Sequence, residues 1–158
     1  MTSIEPARYA EGRAMLVAGL RRHHTFADAP RTIAAQWEAF HALGPIPGRR
    51  GAVAYGVMCG TQLAEQRFEY MAGVEVDGFE ALPADLGRMR VPVQHYAVFE
   101  HTGHVSTLWQ TWGAIWQDWV PRSGRTPADT PDFELYGADF DPATGLGTME
   151  IWFPLEPA

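Results

Sequence analysis

The chain says the same thing twice. The order strand, helix, strand, strand is read once in the first half and again in the second, across 158 residues. In the first half GRAMLVAGLRR (12–22) reads as a strand. TIAAQWEAFHAL (32–43) follows as a helix, with Ile33, Ala34, Trp37 and Phe40 at helical spacing, Pro30 before it and Gly44-Pro45 after it. AVAYGVM (52–58) and RFEYMAGVEV (67–76) are predicted strands, and residues 77–90 an irregular linker. In the second half residues 91–103 read as a strand with a turn and 104–120 as a Trp-rich helix. FELYG (133–137) and TMEIWFPL (148–155) are the closing strands. Details echo as well: Trp37 and Phe40 match Trp116 and Trp119, Tyr55-Gly56 matches Tyr136-Gly137, and Glu75 matches Glu150. Two copies are too few for a repeat array. The expectation is therefore one α+β domain over 1–158, with pseudo-repeats at about 8–78 and 88–156. Duplicated βαββ halves would form an antiparallel-rich sheet with two main helices packed on it, and a central cleft where the halves meet.

Several function classes drop out early. A net charge of −7 opposes direct nucleic-acid binding, which needs a basic patch, and opposes an anionic membrane surface. No apolar run is long enough to span a bilayer. A single cysteine, Cys59, excludes a disulfide framework and makes the cytoplasm the expected compartment. His101 and His104 have a ligand-like interval but no second pair nearby, so neither a metal nor another cofactor is expected. No nucleophilic triad and no phosphate-cradling loop is legible. Only about a dozen residues precede the first predicted strand. With no helix-turn-helix there, a complete DNA-binding regulator is not expected.

The chemistry-bearing residues are acidic and aromatic. Alternation puts Glu134 and Tyr136 on one face of their strand, and Glu150 and Trp152 on one face of theirs. If the two strands pair, one surface holds two glutamates, a tyrosine and a tryptophan, with Tyr55 and Tyr70 forming a similar surface in the first half. Aromatic faces and a carboxylate favour a lipophilic, flat or cationic guest in a mostly apolar pocket. The plainer reading makes Glu150 a solvated sheet residue flanked by Trp152. In LWQTWGAIWQDW the plainer reading is again a core face, through Leu108, Trp112, Ile115 and Trp119. Trp109 and Trp116 lie off that line and are the expected cleft walls. A glutamate in such a pocket has a raised pKa and suits general acid or base work, so Glu134 and Glu150 are also the catalytic candidates.

YAVFEHTG, a Trp-rich helix ending WVPRSG, then DFELY, FDPATG and MEIWFPL together resemble the gyrase-inhibitor-like effector-binding domains. The first half is similar more loosely, through AMLVAGL, QWEAF, AYGV and FEYMAGVEV. Such domains stand at the C-terminal ends of AraC-type and MerR-type regulators, and also alone. The resemblance implies a SOUL-like duplicated βαββ fold whose central cleft takes lipophilic, often cationic small molecules. It implies that Glu134 is the pocket glutamate and Glu150 the glutamate of the closing strand. Tyr55, Tyr70 and Trp152 occupy the matching strand positions, and Trp37 the matching helix position. It also implies two alternatives: hydrolysis of strained cyclopropane rings by a pocket Glu with an aromatic partner, and inhibition of gyrase through a protein partner.

Overall fold

The computed structural model describes residues 3–158. Eight strands form a single antiparallel sheet: β1 (Arg8–Gly12), β2 (Met15–Thr25), β3 (Arg49–Gln62), β4 (Arg67–Val76), β5 (Gly87–Val91), β6 (Gln94–His101), β7 (Asp132–Tyr136) and β8 (Met149–Leu155). Helix α1 (Ala29–His41) lies between β2 and β3. Helix α2 (Leu108–Ala114) lies between β6 and β7, continuing through a π-helical turn (Ile115–Trp119) and a last turn α3 (Val120–Ser123). The strand order is β1-β6-β8-β7-β3-β4-β2-β5. Read outward from the central β7–β3 pair, the two halves mirror each other, as the repeat predicts.

Two strands were not legible. β1 falls in a segment read as having no strand, and β5 in the linker read as irregular. Each is five residues long, lies at a sheet edge and is made largely of charged residues and glycine, whereas the equally short β7 carries Phe133, Leu135 and Tyr136. Their pairing crosses the halves. β1 leads the first half yet pairs with β6 of the second, and β5 leads the second half yet pairs with β2 of the first.

That exchange forces the sheet to curl. Residues 13 and 14 alone join β1 to β2, a reach of about 11 Å from Gly12 to Met15 at full extension. In a flat sheet six strand spacings would separate them, about 29 Å. Residues 92 and 93 join β5 to β6 across the same six places. The two ends of the sheet therefore approach each other. Met15 and Val17 of β2 and Met89 and Val91 of β5 join Tyr96 and Val98 of β6 and Phe133 of β7 in one buried cluster. The helices cover the other face, over Phe99, Ile151, Phe153, Ala72 and Val74. No described helix is long and apolar enough to cross a membrane.

Helix α1 starts earlier than predicted, with Pro in its first turn. Its most buried side chain is polar: Gln36, fully enclosed, donates through Nε2 to the carbonyls of Leu20 on β2 (2.7 Å) and Tyr70 on β4 (2.9 Å).

Candidate functional site

The central β7–β3 pair brings Glu134 opposite Gly56 and Tyr136 opposite Ala54. Glu134 is 7% exposed, and both its oxygens are occupied. Oε1 accepts from the Tyr70 and Tyr136 hydroxyls, each at 2.8 Å. Oε2 accepts from the Trp112 indole N–H at 2.8 Å. The Trp37 indole N–H donates in turn to the Tyr70 hydroxyl at 2.9 Å. Trp37 also meets Tyr136 edge-on, with ring centroids 5.3 Å apart. The site thus draws on both helices and on strands of both halves. Gly56 makes it fit: a Cβ there would overlap the Tyr70 hydroxyl and press on Glu134 Oε1.

No cation serves Glu134. The other well-buried glutamates differ. Glu75 is gripped by both guanidinium nitrogens of Arg13, with Arg50 nearby. Glu150 is gripped by Arg8 at 3.0 and 3.2 Å. Glu134 forms no ion pair among the described residues, and every donor to it is neutral. Burial pushes its carboxyl pKa up, while the bonds from Tyr136, Tyr70 and Trp112 pull it down in part. Burial and the neighbouring carboxylate drive the Tyr70 and Tyr136 hydroxyls far above their ordinary range, so both remain donors. Two residues before Glu134, Asp132 is pushed up to about 7, first by burial and also by the charge of Glu134.

The expected surface of two glutamates, a tyrosine and a tryptophan does not form. Pairing of β7 with β8 sets Glu134 against Ile151 and Leu135 against Glu150. Glu134 and Tyr136 therefore face the helices, while Glu150 and Trp152 face the other side with Phe133 and Leu135. Alternation told which residues of a strand share a face, but not which face of the neighbour they meet. There Trp152 stacks on Phe133, with centroids 5.4 Å apart, and donates to Glu150 at 3.1 Å, under the Arg8 guanidinium. Glu150 and Trp152 thus complete a paired carboxylate with 12% of the Glu150 side chain exposed.

Tyr55 and Tyr70 are separated in the same way. Tyr70 reaches Glu134, while Tyr55 lies on the opposite face against Phe133. The echo between Tyr55-Gly56 and Tyr136-Gly137 is therefore out of phase, because the two tyrosines face opposite sides. Near Tyr55 on that side lies Tyr96, whose buried hydroxyl finds no hydrogen-bond partner.

The tryptophans also exchange roles. Trp109 and Trp116, the expected cleft walls, are 59% and 48% exposed, with Trp116 edge-on to Phe153. Trp112, read as core, is the one that reaches Glu134. Leu108, Ile115 and Trp119 are buried as read. Trp37 sits where the helical spacing placed it. Where an open cleft was expected, the rings of Trp37, Tyr70 and Tyr136 and the carboxylate of Glu134 pack together. No group of His, Cys, Asp and Glu among the described residues is placed to hold a metal.

A family model described as the GyrI-like small molecule binding domain matches residues 11–156. The transcriptional regulator BrlR of Pseudomonas aeruginosa is 32% identical over 153 residues, which make up 94% of this chain and 55% of BrlR. The chain thus spans about half the length of that curated relative. The experimental structure of SAV2435 bound to tetraphenylphosphonium superposes with a TM-score of 0.76 at 20% identity, covering 94% of this chain and 93% of the other. The integron cassette protein VCH_CASS2 of Vibrio cholerae superposes with a TM-score of 0.72 at 21% identity, covering 98% of each chain. At such identities these two likenesses establish the fold.

Proposed function

The chain belongs to the GyrI-like small molecule binding domain family, and from that premise we propose that it captures lipophilic cations, with Glu134 as their counter-ion. One observation carries the reading. Glu134 is a buried carboxylate held only by neutral donors, while Glu75 and Glu150 each have an arginine. A buried charge without a counter-charge is costly. A cationic guest supplies what the protein omits, and the rings of Trp37, Tyr70, Tyr136 and Trp112 offer it π faces and apolar surface. Tetraphenylphosphonium, the ligand in the SAV2435 structure, is a cation of this class. Because Glu134 is enclosed and both its oxygens are bonded, a guest must displace at least one indole to reach it. Trp37 and Trp112, each half-buried and each on a helix, are the movable walls. Glu150, Trp152 and Tyr55 have no part in this reading, since they lie across the sheet.

The test is titration of tetraphenylphosphonium and of neutral triphenylphosphine oxide into the protein and into its Glu134→Gln variant. Glutamine keeps the shape and removes the charge. The cation is expected to lose roughly tenfold or more in affinity, on the order of 1.4 kcal/mol, and the neutral compound far less. Equal losses for both would dismiss the counter-ion role.

A further inference from the structure

Two buried histidines stand at equivalent places in the two halves. His24 is the penultimate residue of β2 and His101 the last of β6; they are 5% and 7% exposed. Each joins its strand to the helix that follows. His24 Nδ1 meets Thr32 Oγ1 of α1 at 2.6 Å, and His101 Nδ1 meets Thr111 Oγ1 of α2 at 2.6 Å. The other ring nitrogen faces an oxygen that can only accept. For His24 this is Gln36 Oε1 at 2.5 Å, and for His101 the His104 carbonyl at 3.1 Å, with the Thr107 hydroxyl oxygen at 3.2 Å having its own hydrogen committed to that same carbonyl. The Gln36 amide is oriented by its own donation to Leu20 and Tyr70. Nε2 therefore carries the hydrogen in both rings, and in the neutral ring Nδ1 accepts from the threonine hydroxyl.

The partners of these histidines adjoin the site. Gln36 immediately precedes Trp37, and Thr111 immediately precedes Trp112. Trp37 and Trp112 are the two indoles that bond into the Glu134 network, one through Tyr70 and one directly. Each half therefore runs from a strand-end histidine through its helix to a tryptophan and the carboxylate network, with Gln36 on Nε2 beside the tryptophan in the first half and Thr111 on Nδ1 in the second.

We propose that His24–Thr32 and His101–Thr111 are paired latches that hold α1 and α2 shut over Glu134 and so set the population of the ligand-accepting state. This rests on the reading of Glu134 as the ligand anchor. The histidines are positioning residues that act through the helices, although His101 also lies close enough to lower the Glu134 pKa directly. A latch that favours the closed form lowers apparent affinity by the fraction of molecules that are open. Weakening it exposes the tryptophans and tightens binding, whereas loss of an ordinary structural bond would destabilise the protein and leave binding no better.

The experiment uses Thr32→Val and Thr111→Val, which remove one hydroxyl each at nearly constant shape. Hydrogen exchange of the Trp37 and Trp112 indole N–H groups is followed by NMR without ligand, and tetraphenylphosphonium affinity is measured alongside. The expected result is faster exchange at the tryptophan of the altered half and apparent affinity raised roughly threefold or more. Exchange equal to the parent's, or binding no tighter than the parent's, overturns the proposal. If the parent does not bind tetraphenylphosphonium, the cation reading fails on its own and the exchange measurement alone decides the latches. Should one variant not fold, the other decides, since each half carries its own latch.

Discussion

Glu134 has three neutral donors around an enclosed carboxylate, and the balance between them and burial leaves its pKa raised above the ordinary 4.5. A cation placed beside it favours the charged form and moves the pKa down again. Between those two values the free protein holds a proton that the complex does not. Binding must then release protons, and affinity must climb with pH through that window and level off above it. Calorimetry of tetraphenylphosphonium binding just above the ordinary carboxylate range, in buffers of small and large ionisation heat, should give different apparent enthalpies. Glu134→Gln should shrink the difference, leaving only what Asp132 contributes. Identical enthalpies for the parent would mean that Glu134 enters the complex already ionised.

At the scale of elements, the site depends on a strand of large side chains pairing with a strand of small ones. β7 presents Glu134 and Tyr136 to the helices, and β3 presents Gly56 and Ala54 beside them. Gly56→Ala is expected to push the Tyr70 hydroxyl from Glu134 and to cost about 1–3 kcal/mol, as overpacking does. Denaturant unfolding would show the loss, and a cost below about 0.5 kcal/mol would mean the network yields easily. The two helices and the five longer strands were legible because each spans several residues of clear periodicity, and β7, only five residues long, through its Phe133, Leu135 and Tyr136. Glu134, Tyr136, Tyr70 and Trp37 were each among the candidate residues, but as parts of different surfaces, and the structure brings them into one network. The division of the acidic and aromatic set between two faces was not legible, because register is fixed by pairing and not by the strand's own alternation. Trp112 was assigned to the core by its line with Leu108 and Ile115, yet a half-buried indole on that line still reaches Glu134 with its N–H. The π-helical turn that follows, from Ile115, departs from the 3.6 spacing on which that line was drawn. Gln36 and His24 were passed over, and His101 was weighed only as a metal ligand, because a buried polar residue and an exposed one look alike in sequence. The signal that marks them is position: each lies at a strand end or one residue before a tryptophan in its own half.

Across the whole molecule, the exchanged edge strands make the halves mutually dependent. Each half's leading strand completes the other's sheet, and β1 carries this further by sending Arg8 to Glu150, while Arg13 just beyond it reaches Glu75. Residues 8–78 and 88–156 made as separate chains are expected to be unfolded alone and to recover native circular dichroism when mixed. A half that folded cooperatively by itself would show that the exchange is not essential. The pairing of Glu134 with Gly56 has a wider consequence. A true twofold assembly of identical halves would repeat every side chain of one central strand on the other, across the axis. A carboxylate on one side would bring a second one across the axis, and the pair would repel or share a proton. Joining two unlike copies in one chain escapes that constraint: one copy supplies the charge, and the other gives up its side chain to make room. A nearly symmetric body thus holds a single carboxylate at its centre, which a divergent duplicate can provide and an identical one cannot.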